Sequence, residues 1–389
     1  MRLGIDASNL RAGGGVTHLI ELLRVSDPVA HGFSQVIVWG GKAILNQIED
    51  RPWLMKIFQP SLDRSLPYRI FWQRFRLAGL ARAADCDLLF VPGGSYAGDF
   101  RPMVTMCRNM LPFEWRELKR YGFSLTSFRL MLLRWAQSRS FRQADGLIFL
   151  TEYAHDQVMR VVKTNSGRIA VVPHGVGDRF AGRTREPLPI SHYSADNPFR
   201  ILYISAVEMY KHQWHVAEAV ARLRSSSLPV ALDLVGPGYG PALVRLRRTL
   251  NRVDRAGEFV RYVGAVPIGE IHARYAEAEA CVFASSCENL PNILLEGMAS
   301  GLPIACSKRG PMPEVLGDAG VYFDPENPDD IARALLDLIE SPELRARLAK
   351  ASLERAQSYS WPRCARETFA FLAEVSRAHA GRRILPAYP

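Results

Sequence analysis

Residues 280–303 read ACVFASSCENLPNILLEGMASGLP. A short apolar run, Ala280–Ala284, leads into a polar turn and then into a helical pattern that begins near Pro291. Proline suits the first helical turn because its missing N–H has no intrahelical acceptor there. This order predicts a buried strand, a turn and a helix, which is the repeating unit of a parallel α/β sheet.

The same kind of apolar run recurs along the whole chain, separated by amphipathic stretches that favour helices. In the first half these runs are Leu3–Asp6, Val36–Trp39, Asp87–Val91, Met103–Cys107, Gly146–Thr151 and Ile169–Val172. In the second half they are Arg200–Ser205, Ala231–Val235, Val260–Val263, Ala280–Ala284, Pro303–Ser307 and Gly320–Phe323. Two series of this kind predict an α/β chain of two Rossmann-like, doubly wound domains that face each other across a cleft.

The domain boundaries follow from length and composition. A chain of 389 residues exceeds what one hydrophobic core usually supports, so two domains are expected. Residues 177–198 lack periodicity and are rich in Gly, Pro, Ser, Arg and Asp. We therefore predict a first domain over 1–180, a linker over 181–198, a second domain over 199–365, and a C-terminal helix and tail over 366–389 that crosses back to the first domain.

Composition excludes several protein classes. At 48% hydrophobic and 23% charged residues the chain is typical of globular proteins, not of disordered or collagen-like ones. The six cysteines are scattered, and their spacing fits neither a zinc site nor a disulfide framework. No run resembles a signal peptide or a membrane-spanning helix. These features predict a reduced, cytoplasmic protein.

The formal net charge of +10 belongs entirely to the first half, where residues 1–190 carry 26 basic and 16 acidic side chains. Residues 64–84 hold five arginines and no acid, interleaved with aromatic side chains, which is typical of a helix on an anionic membrane surface. The alternative is that these aromatics pack on the first sheet. For the second basic stretch, 101–142, we expect that packing. No nucleic-acid-binding motif is present, so nucleic acid is not a predicted partner.

Two glutamates stand out beside the helix that begins near Pro291. Glu288 lies just before it, and Glu296 lies in its second turn. Both carboxylates can accept hydrogen bonds from ligand hydroxyl groups, and the amides around 290–294 would present partial positive charge to an anion. Taken singly, each glutamate is more simply a helix cap or a solvated residue.

Gly13, Gly14 and Gly15 follow the first predicted strand and precede a helical pattern. Glycines allow a phosphate or sugar to approach the backbone amides closely, although a plain tight turn explains the same residues.

The larger pattern resembles the signature of the family-4 retaining glycosyltransferases of the GT-B fold. Its parts are Glu288-x7-Glu296 followed by Gly-Met-Ala-x-Gly-x-Pro, with Ser205-x5-Lys211 and Leu234-Val-Gly-Pro-Gly238 upstream. The resemblance implies that Glu288 contacts the donor hexose, that Glu296 binds the ribose hydroxyls, and that Lys211 neutralises the leaving diphosphate. It also implies no metal and no cofactor beyond the nucleotide-diphosphate sugar itself.

Other site residues follow from the same resemblance. Predicted donor-binding positions are Gly13, Gly14, Gly15, Asn289, Leu290, Asn292, Ile293 and Leu294. Arg108 and Asn109 occupy a loop where many relatives carry a histidine. These two residues and His174 are candidate contacts to the sugar or the acceptor. The place of His174 near the domain junction favours a structural role for it. The chain departs from the family at Ala206, where an arginine is usual, and Lys308 and Arg309 are the candidates to compensate.

We therefore predict a retaining hexosyltransferase that uses a nucleotide-diphosphate sugar and a glycan or lipid-linked acceptor. Bacterial surface polysaccharide or lipopolysaccharide synthesis is the expected setting, with the protein peripheral on the inner face of the plasma membrane. Two alternatives stay open: a nucleotide-sugar epimerase of the same fold, and a non-catalytic nucleotide-sugar-binding protein.

Overall fold

The computed structural model describes residues 1–11, 13–163 and 167–384. The chain divides into two compact units. The first unit contains Met1–Glu114, Phe123–Gly175 and the chain from Ser360 onward; the second contains Trp115–Gly122 and Val176–Tyr359. Each unit is built around its own parallel sheet.

Within the described residues, the first unit holds a parallel sheet of seven strands in the order β3-β2-β1-β4-β5-β6-β7. Its strands are β1 Arg2–Asp6, β2 Gln35–Gly40, β3 Leu54–Phe58, β4 Leu88–Val91, β5 Met103–Met106, β6 Gly146–Phe149 and β7 Arg168–Val171. The strand order reverses beside β1, which pairs with β2 on one side and β4 on the other. In open sheets of this kind, ligands bind at the carboxyl ends of the strands next to that reversal.

The second unit repeats this arrangement with six described strands in the order β10-β9-β8-β11-β12-β13. They are β8 Phe199–Ile204, β9 Val230–Val235, β10 Val260–Gly264, β11 Ala280–Phe283, β12 Ile304–Ser307 and β13 Val321–Phe323. The reversal lies at β8, which pairs with β9 and with β11. The two parallel sheets confirm the α/β class predicted from the apolar runs.

Helices follow most of the strands. In chain order they are α1 Gly14–Val25, α2 Lys42–Leu45, α3 Leu66–Phe75, α4 Leu77–Ala83, α5 Trp115–Leu118, α6 Leu125–Gln143, α7 Glu152–Val162, α8 Gln213–Ser225, α9 Gly240–Val253, α10 Ile271–Glu277, α11 Asn292–Ala299, α12 Met312–Leu316, α13 Pro328–Glu340, α14 Pro342–Ala356 and α15 Trp361–Ile384. Among the described helices, none is both long enough and apolar enough to cross a bilayer.

Strand β3 was absent from the predicted runs. It lies at the edge of the first sheet and pairs with β2 alone. Its residues are exposed or half-buried, and Lys56 interrupts its apolar pattern. An edge strand is covered less completely than a central one, so its sequence carries a weaker apolar signal.

The segment 181–198, expected to be a linker, belongs to the second unit. The Gly182 N–H donates to the Ala299 carbonyl oxygen at 2.9 Å, and the Arg185 guanidinium donates to the Ala278 carbonyl oxygen at 2.6 Å. Backbone carbonyls therefore hold much of this irregular segment in place. Periodicity could not show this, because such bonds use main-chain acceptors.

Helix α15 starts at Trp361, five residues before the helix we expected, and belongs to the first unit. It packs along α1, and its Phe369 ring meets those of His31 and Phe33 at centroid distances of 6.3 and 6.1 Å. A second contact runs to β6, where a methyl group built on Gly146 would lie 2.9 Å from Val375 Cγ2 and 3.1 Å from Phe371 Cε1. The absence of a side chain at Gly146 is thus what lets α15 approach the sheet.

We expect Gly146→Ala to lower the free energy of unfolding by about 1–2 kcal/mol, because the added methyl group overpacks the contact with α15. Gly79→Ala in α4 is the matched control: nothing lies within 4 Å of its added methyl group, so the better helix propensity of alanine should raise stability by about 0.5–1 kcal/mol. Urea denaturation measures both. Equal effects of the two substitutions would contradict this account of α15.

Candidate functional site

Lys211 and Glu288 form a buried ion pair at the carboxyl edge of the second sheet. Lys211 follows β8 and Glu288 follows β11, and the two strands are neighbours, so the loops after them meet at one edge. The Lys211 ammonium contacts Glu288 Oε1, and the two side chains are 8% and 15% exposed. The two residues predicted to face the donor sugar and its diphosphate are thus brought together.

The surroundings of Lys211 hold its ammonium in place. Its Nζ lies 5.4 Å from the ring centre of Tyr210 and 5.2 Å from that of Phe283, within the range of cation–π attraction. The Tyr203 hydroxyl donates to the Lys211 carbonyl oxygen at 2.6 Å. The ammonium is therefore positioned by aromatic rings and by its own backbone as well as by Glu288.

The two loops are also tied to each other directly. The Ser286 N–H donates to the Tyr210 carbonyl oxygen at 2.8 Å, and Ser286 Oγ lies 2.9 Å from His212 Nε2. Burial, assisted by the charge of Arg120, lowers the pKa of His212 to about 2. The imidazole is therefore neutral at physiological pH, and it links the loops without adding charge.

Glu296 lies on α11 in a different environment from Glu288. Its Oε2 accepts a hydrogen bond from the Tyr275 hydroxyl at 3.4 Å. Burial raises the pKa of Glu296 to about 7, against the opposing effects of the Arg179 charge and the Tyr275 hydrogen bond. At neutral pH this carboxyl is thus partly protonated, and it can both donate and accept hydrogen bonds.

The start of α11 contributes backbone amides. The N–H groups of Leu294 and Leu295 donate to the Pro291 carbonyl oxygen at 3.1 and 3.2 Å. The amides of Asn292 and Ile293 come before the first such bond and are the ones suited to an anion. Of the other predicted donor-binding residues here, Asn289, Leu290 and Leu294 have buried side chains.

Ala206 leaves its position without a cation. Its carbonyl oxygen accepts hydrogen bonds from Gln213 Nε2 at 2.9 Å and from Ser205 Oγ at 3.1 Å. Of the two candidates to compensate, Arg309 donates through Nη2 to both carboxylate oxygens of Asp324 at 2.7 and 2.8 Å, and Lys308 lies 3.8 Å from Asp330. Both cations are therefore paired with carboxylates of the loop after β13 or the start of α13.

The segment Trp115–Gly122 was not predicted to belong to the second unit. Arg116, Arg120 and Arg309 all pair with the Glu326 carboxylate, with Arg120 Nη2 at 2.5 Å and Arg309 Nη1 at 2.6 Å. Hydrogen bonds and charge from Arg120 and Arg309 hold the pKa of Glu326 at about 2, despite partial burial. In the sequence, the excess of arginines over acidic residues in 101–142 indicated such pairing, but it did not identify Glu326 as the carboxylate.

Tyr121 brings that segment to the candidate donor site. Its hydroxyl lies 3.5 Å from Glu208 Oε2, and its ring lies 6.1 Å from that of Tyr239. Burial raises the pKa of Glu208, while Tyr121 and the charge of Lys211 lower it. Tyr121 and Glu208 are therefore neighbours of the Lys211–Glu288 pair that sequence reasoning missed.

In the first unit, the structure brings Gly13–Gly15 together with Arg108. Helix α1 begins at Gly14, after Gly13 adopts a φ of 73°, a conformation that favours glycine. Arg108 Nη2 donates to the Gly14 carbonyl oxygen at 2.6 Å. Its Nη1 is buried and has no hydrogen-bond partner among the described residues. Burial lowers the pKa of Arg108 to about 10, so it remains a cation beside the glycine loop.

Asn109 and His174 lie in contrasting places. Asn109 is exposed, and its Oδ1 accepts from the Leu111 N–H at 3.0 Å, which stabilises the local turn. His174 is buried and stacks on Trp361 with ring centres 5.7 Å apart. The His18 ring meets both His174 and Trp361 edge-on. His174 thus packs inside the first unit.

A second polar cluster at the carboxyl end of β1 was also missed. Asp6 Oδ1 accepts from the Ser8 N–H at 2.9 Å, and its Oδ2 accepts from Gln73 Nε2 at 2.5 Å. Burial raises the pKa of Asp6. Gln73 also donates to the Ser95 carbonyl oxygen at 3.1 Å, so α3 is fastened to the carboxyl edge of the first sheet.

Metal-ligating residues are not clustered in the part of the chain that the structure describes: no three of its His, Cys, Asp and Glu side chains are placed to share an ion. All six cysteines are buried.

Comparison with known proteins identifies the relatives of this arrangement. The family model described as "Glycosyl transferases group 1" matches residues 185–355, and the one described as "Glycosyltransferase Family 4" matches residues 12–179. O-antigen chain mannosyltransferase B of Escherichia coli is 27% identical over 59% of this chain and 60% of its own length. A D-inositol 3-phosphate glycosyltransferase of Streptomyces bingchenggensis is 27% identical over 61% and 54%. The chain's match thus spans 54–60% of these relatives.

Solved structures share the fold over nearly the whole chain. Sucrose-phosphate synthase of Thermosynechococcus elongatus has a TM-score of 0.72 at 17% identity, covering 98% of this chain and 100% of its own. WaaG, a glycosyltransferase involved in lipopolysaccharide biosynthesis, has a TM-score of 0.66 at 14% identity, with coverages of 96% and 99%. Anabaena HepE in complex with UDP-glucose has a TM-score of 0.65 at 16% identity, with 98% and 100%. At these identities the likeness shows the fold alone.

The raised pKa of Glu296 predicts a pH-dependent stability. Between about pH 4.5 and 7 the folded state holds a proton on Glu296 that the unfolded state has released, so stability falls as pH rises. We expect the free energy of unfolding of Glu296→Gln to fall by about 2 kcal/mol less than that of the wild type as the pH rises. Urea denaturation from pH 5 to 8 measures it, with Glu340→Gln at an exposed position as control. If the stability of Glu296→Gln falls as steeply with pH as that of the wild type, Glu296 is not the group that causes the pH dependence.

Proposed function

Because the chain belongs to the family-4 glycosyltransferases of the GT-B fold, we propose that it is a retaining, metal-independent hexosyltransferase. It takes the sugar from a nucleotide-diphosphate sugar and passes it to a glycan or lipid-linked acceptor. The observation that carries this proposal is the buried Lys211–Glu288 pair at the carboxyl edge of the second sheet, with Glu296 on the helix that follows.

The pair suits the departure of a diphosphate. As the bond between the sugar C1 and the phosphate oxygen breaks, its electrons go to that oxygen, and negative charge on the diphosphate grows. A fixed ammonium on Lys211, held in a site with little water, stabilises that growing charge. Glu288 contacts the ammonium through Oε1, so its other carboxylate oxygen can accept hydrogen bonds from the hexose hydroxyls, and Glu296 accepts them from the ribose.

Retention follows from attack on the face that the diphosphate leaves. The acceptor oxygen bonds to C1 on that face, and its proton passes to the departing phosphate oxygen. A double displacement would need a free carboxylate as nucleophile. Glu288 is ion-paired with Lys211, and Glu296 has a pKa of about 7, so neither is well prepared for that role.

Names among the relatives support the choice of substrates. The E. coli relative is an O-antigen chain mannosyltransferase, and WaaG acts in lipopolysaccharide biosynthesis, so we propose a bacterial surface polysaccharide as the setting. Anabaena HepE was solved with UDP-glucose, which supports a nucleotide-sugar donor.

Two alternatives remain as outcomes of the test. A nucleotide-sugar epimerase would need acid and base groups beside the donor, and the nearby His212 is neutral with a pKa of about 2. A non-catalytic binder is favoured by Ala206, since Lys308 and Arg309 are both engaged with carboxylates.

We expect Lys211→Ala and Glu288→Ala each to lower kcat for sugar transfer or donor hydrolysis by about 100-fold or more, since each removes a group that acts in the transition state. Lys350→Ala, at an exposed lysine of α14, is the control and should not change turnover. A thermal-shift screen of UDP-, GDP- and dTDP-sugars chooses the donor for the assay.

Three results would contradict this proposal in different ways. Interconversion of free nucleotide sugars without an acceptor would favour the epimerase. Tight donor binding with neither hydrolysis nor transfer would favour the binder. NMR of the product that shows an inverted anomeric centre would overturn retention while leaving transfer intact.

We further propose that the surface of residues 64–84 rests on the anionic inner face of the plasma membrane and makes the protein peripheral there. The exposed side of α3 supports this, with Phe71 and Phe75 at the surface and Trp72 buried. Arg64 lies over the ring of Tyr68 at 5.1 Å, so cations and aromatic rings are mixed on this surface.

Arg74→Glu combined with Arg76→Glu is expected to weaken retention on anionic liposomes, because it replaces attraction to the lipid headgroups with repulsion. The control is Arg247→Glu with Arg248→Glu, which makes the same charge change at exposed positions of α9 in the second unit. Co-sedimentation measures the bound fraction. Equal binding by the two double variants would contradict a specific role for 64–84.

A further inference from the structure

Helix α6 leaves most of its large apolar side chains at the surface and buries several polar ones. Its buried residues include Gln137, Ser138 and Ser140. Its large apolar side chains face outward, with Phe128 62%, Leu132 52% and Trp135 65% exposed. Our expectation that these side chains pack on the first sheet is therefore wrong. On the buried side of α6 these polar side chains lie together with Leu130 and Phe141.

The outward apolar residues form one continuous line. Leu125, Phe128, Leu132 and Trp135 are spaced by three, four and three residues, which places them along one face of a helix. Phe123, just before the helix, is fully exposed. We call these five residues the α6 stripe. Folding of the first unit does not require them to be apolar, because nothing in the unit covers them.

The charged residues of the segment that carries the α6 stripe are all arginines. Residues 123–143 contain four arginines and no acidic residue. Arg129 and Arg139 are exposed, whereas Arg134 donates to the Pro112 carbonyl oxygen at 3.1 Å. An apolar line flanked by cations is complementary to the boundary between anionic headgroups and acyl chains.

Helices α6 and α3 hold the same loop. Ser140 Oγ of α6 accepts from the Tyr96 N–H at 2.7 Å, and Gln73 of α3 accepts from the Ala97 N–H at 2.9 Å. This loop follows β4 at the carboxyl edge of the first sheet. The α6 stripe and the exposed aromatics of α3 are thus attached to one edge of the first unit.

We propose that the α6 stripe inserts into the headgroup–acyl boundary of an anionic bilayer. It acts with the 64–84 surface and holds the carboxyl edge of the first sheet against the membrane, where a lipid-linked acceptor is presented. The part about the acceptor rests on the proposed function. The insertion itself does not, because it depends only on the composition and exposure of α6.

The test compares vesicles of phosphatidylcholine alone with vesicles of equal parts phosphatidylcholine and phosphatidylglycerol. The triple variant Phe128→Gln, Leu132→Gln, Trp135→Gln should lose about tenfold or more in its partition coefficient on the anionic vesicles, because it no longer buries apolar surface. The control, Leu188→Gln with Val244→Gln, removes exposed apolar side chains from the second unit and should bind as the wild type does.

A second measurement reports the insertion directly. All six native cysteines are buried, so a new surface cysteine can be labelled selectively. An environment-sensitive fluorophore on Trp135→Cys should shift to the blue on anionic vesicles, and the same label on Val244→Cys should not. No shift at position 135 in a vesicle-bound protein would overturn the proposal.

The remaining outcomes separate this proposal from the proposed function. Donor turnover by the triple variant at the wild-type rate would show that lost vesicle binding is not due to unfolding. A wild-type protein that processes no nucleotide sugar but binds vesicles through the α6 stripe would overturn only the proposed function. Vesicle binding unchanged in the triple variant, or a wild-type dimer in light scattering that the triple variant dissociates, would overturn the membrane role.

Discussion

A buried ammonium and a buried carboxylate, on Lys211 and Glu288, stabilise each other at the carboxyl edge of the second sheet. Removing either charge from water is costly, so each is tolerated only while the other is near. This constraint explains why the loops after β8 and β11 are joined through Ser286, Tyr210 and His212. The ion pair depends on the pairing of these two strands, because that pairing brings the loops after β8 and β11 close enough for Lys211 to contact Glu288.

Burial acts differently on the other ionisable groups at the two carboxyl edges. Glu296 has no ion-paired cation among the described residues, and burial raises its pKa to about 7, whereas Glu326 pairs with three arginines and has a pKa of about 2. Arg108, half-buried beside the glycine loop of the first unit, keeps its charge although no carboxylate of the described residues pairs with it. A buried group with an unused hydrogen-bonding position is suited to a ligand, while the fully paired Glu326 holds the chain in place.

The strands show how far sequence reasoning reached. Central strands such as β8 and β11 are buried on both faces, so their apolar runs were identified within a residue or two of the observed ends. Strand β3 was missed because an edge strand is only partly covered. The residues around Glu288 and Glu296 were found because their chemistry is local to one strand–helix unit. Tyr121 and Glu208 were not, since they meet only when a segment from the first half of the chain docks on the second unit.

The sequence by itself determined the α/β class and the strands of both sheets except β3, because these depend on short-range patterns of apolar and polar residues. The resemblance to the family-4 signature supplied Glu288, Glu296 and Lys211 as candidate donor-site residues. Only the tertiary structure decided which way α6 faces. Helical spacing aligns Phe128, Leu132 and Trp135 on one side, but it cannot say whether that side meets the sheet or the solvent. Here the side of α6 that carries Ser140 and Gln137 packs inward, because these two residues meet the loop after β4. The apolar side is therefore left at the surface.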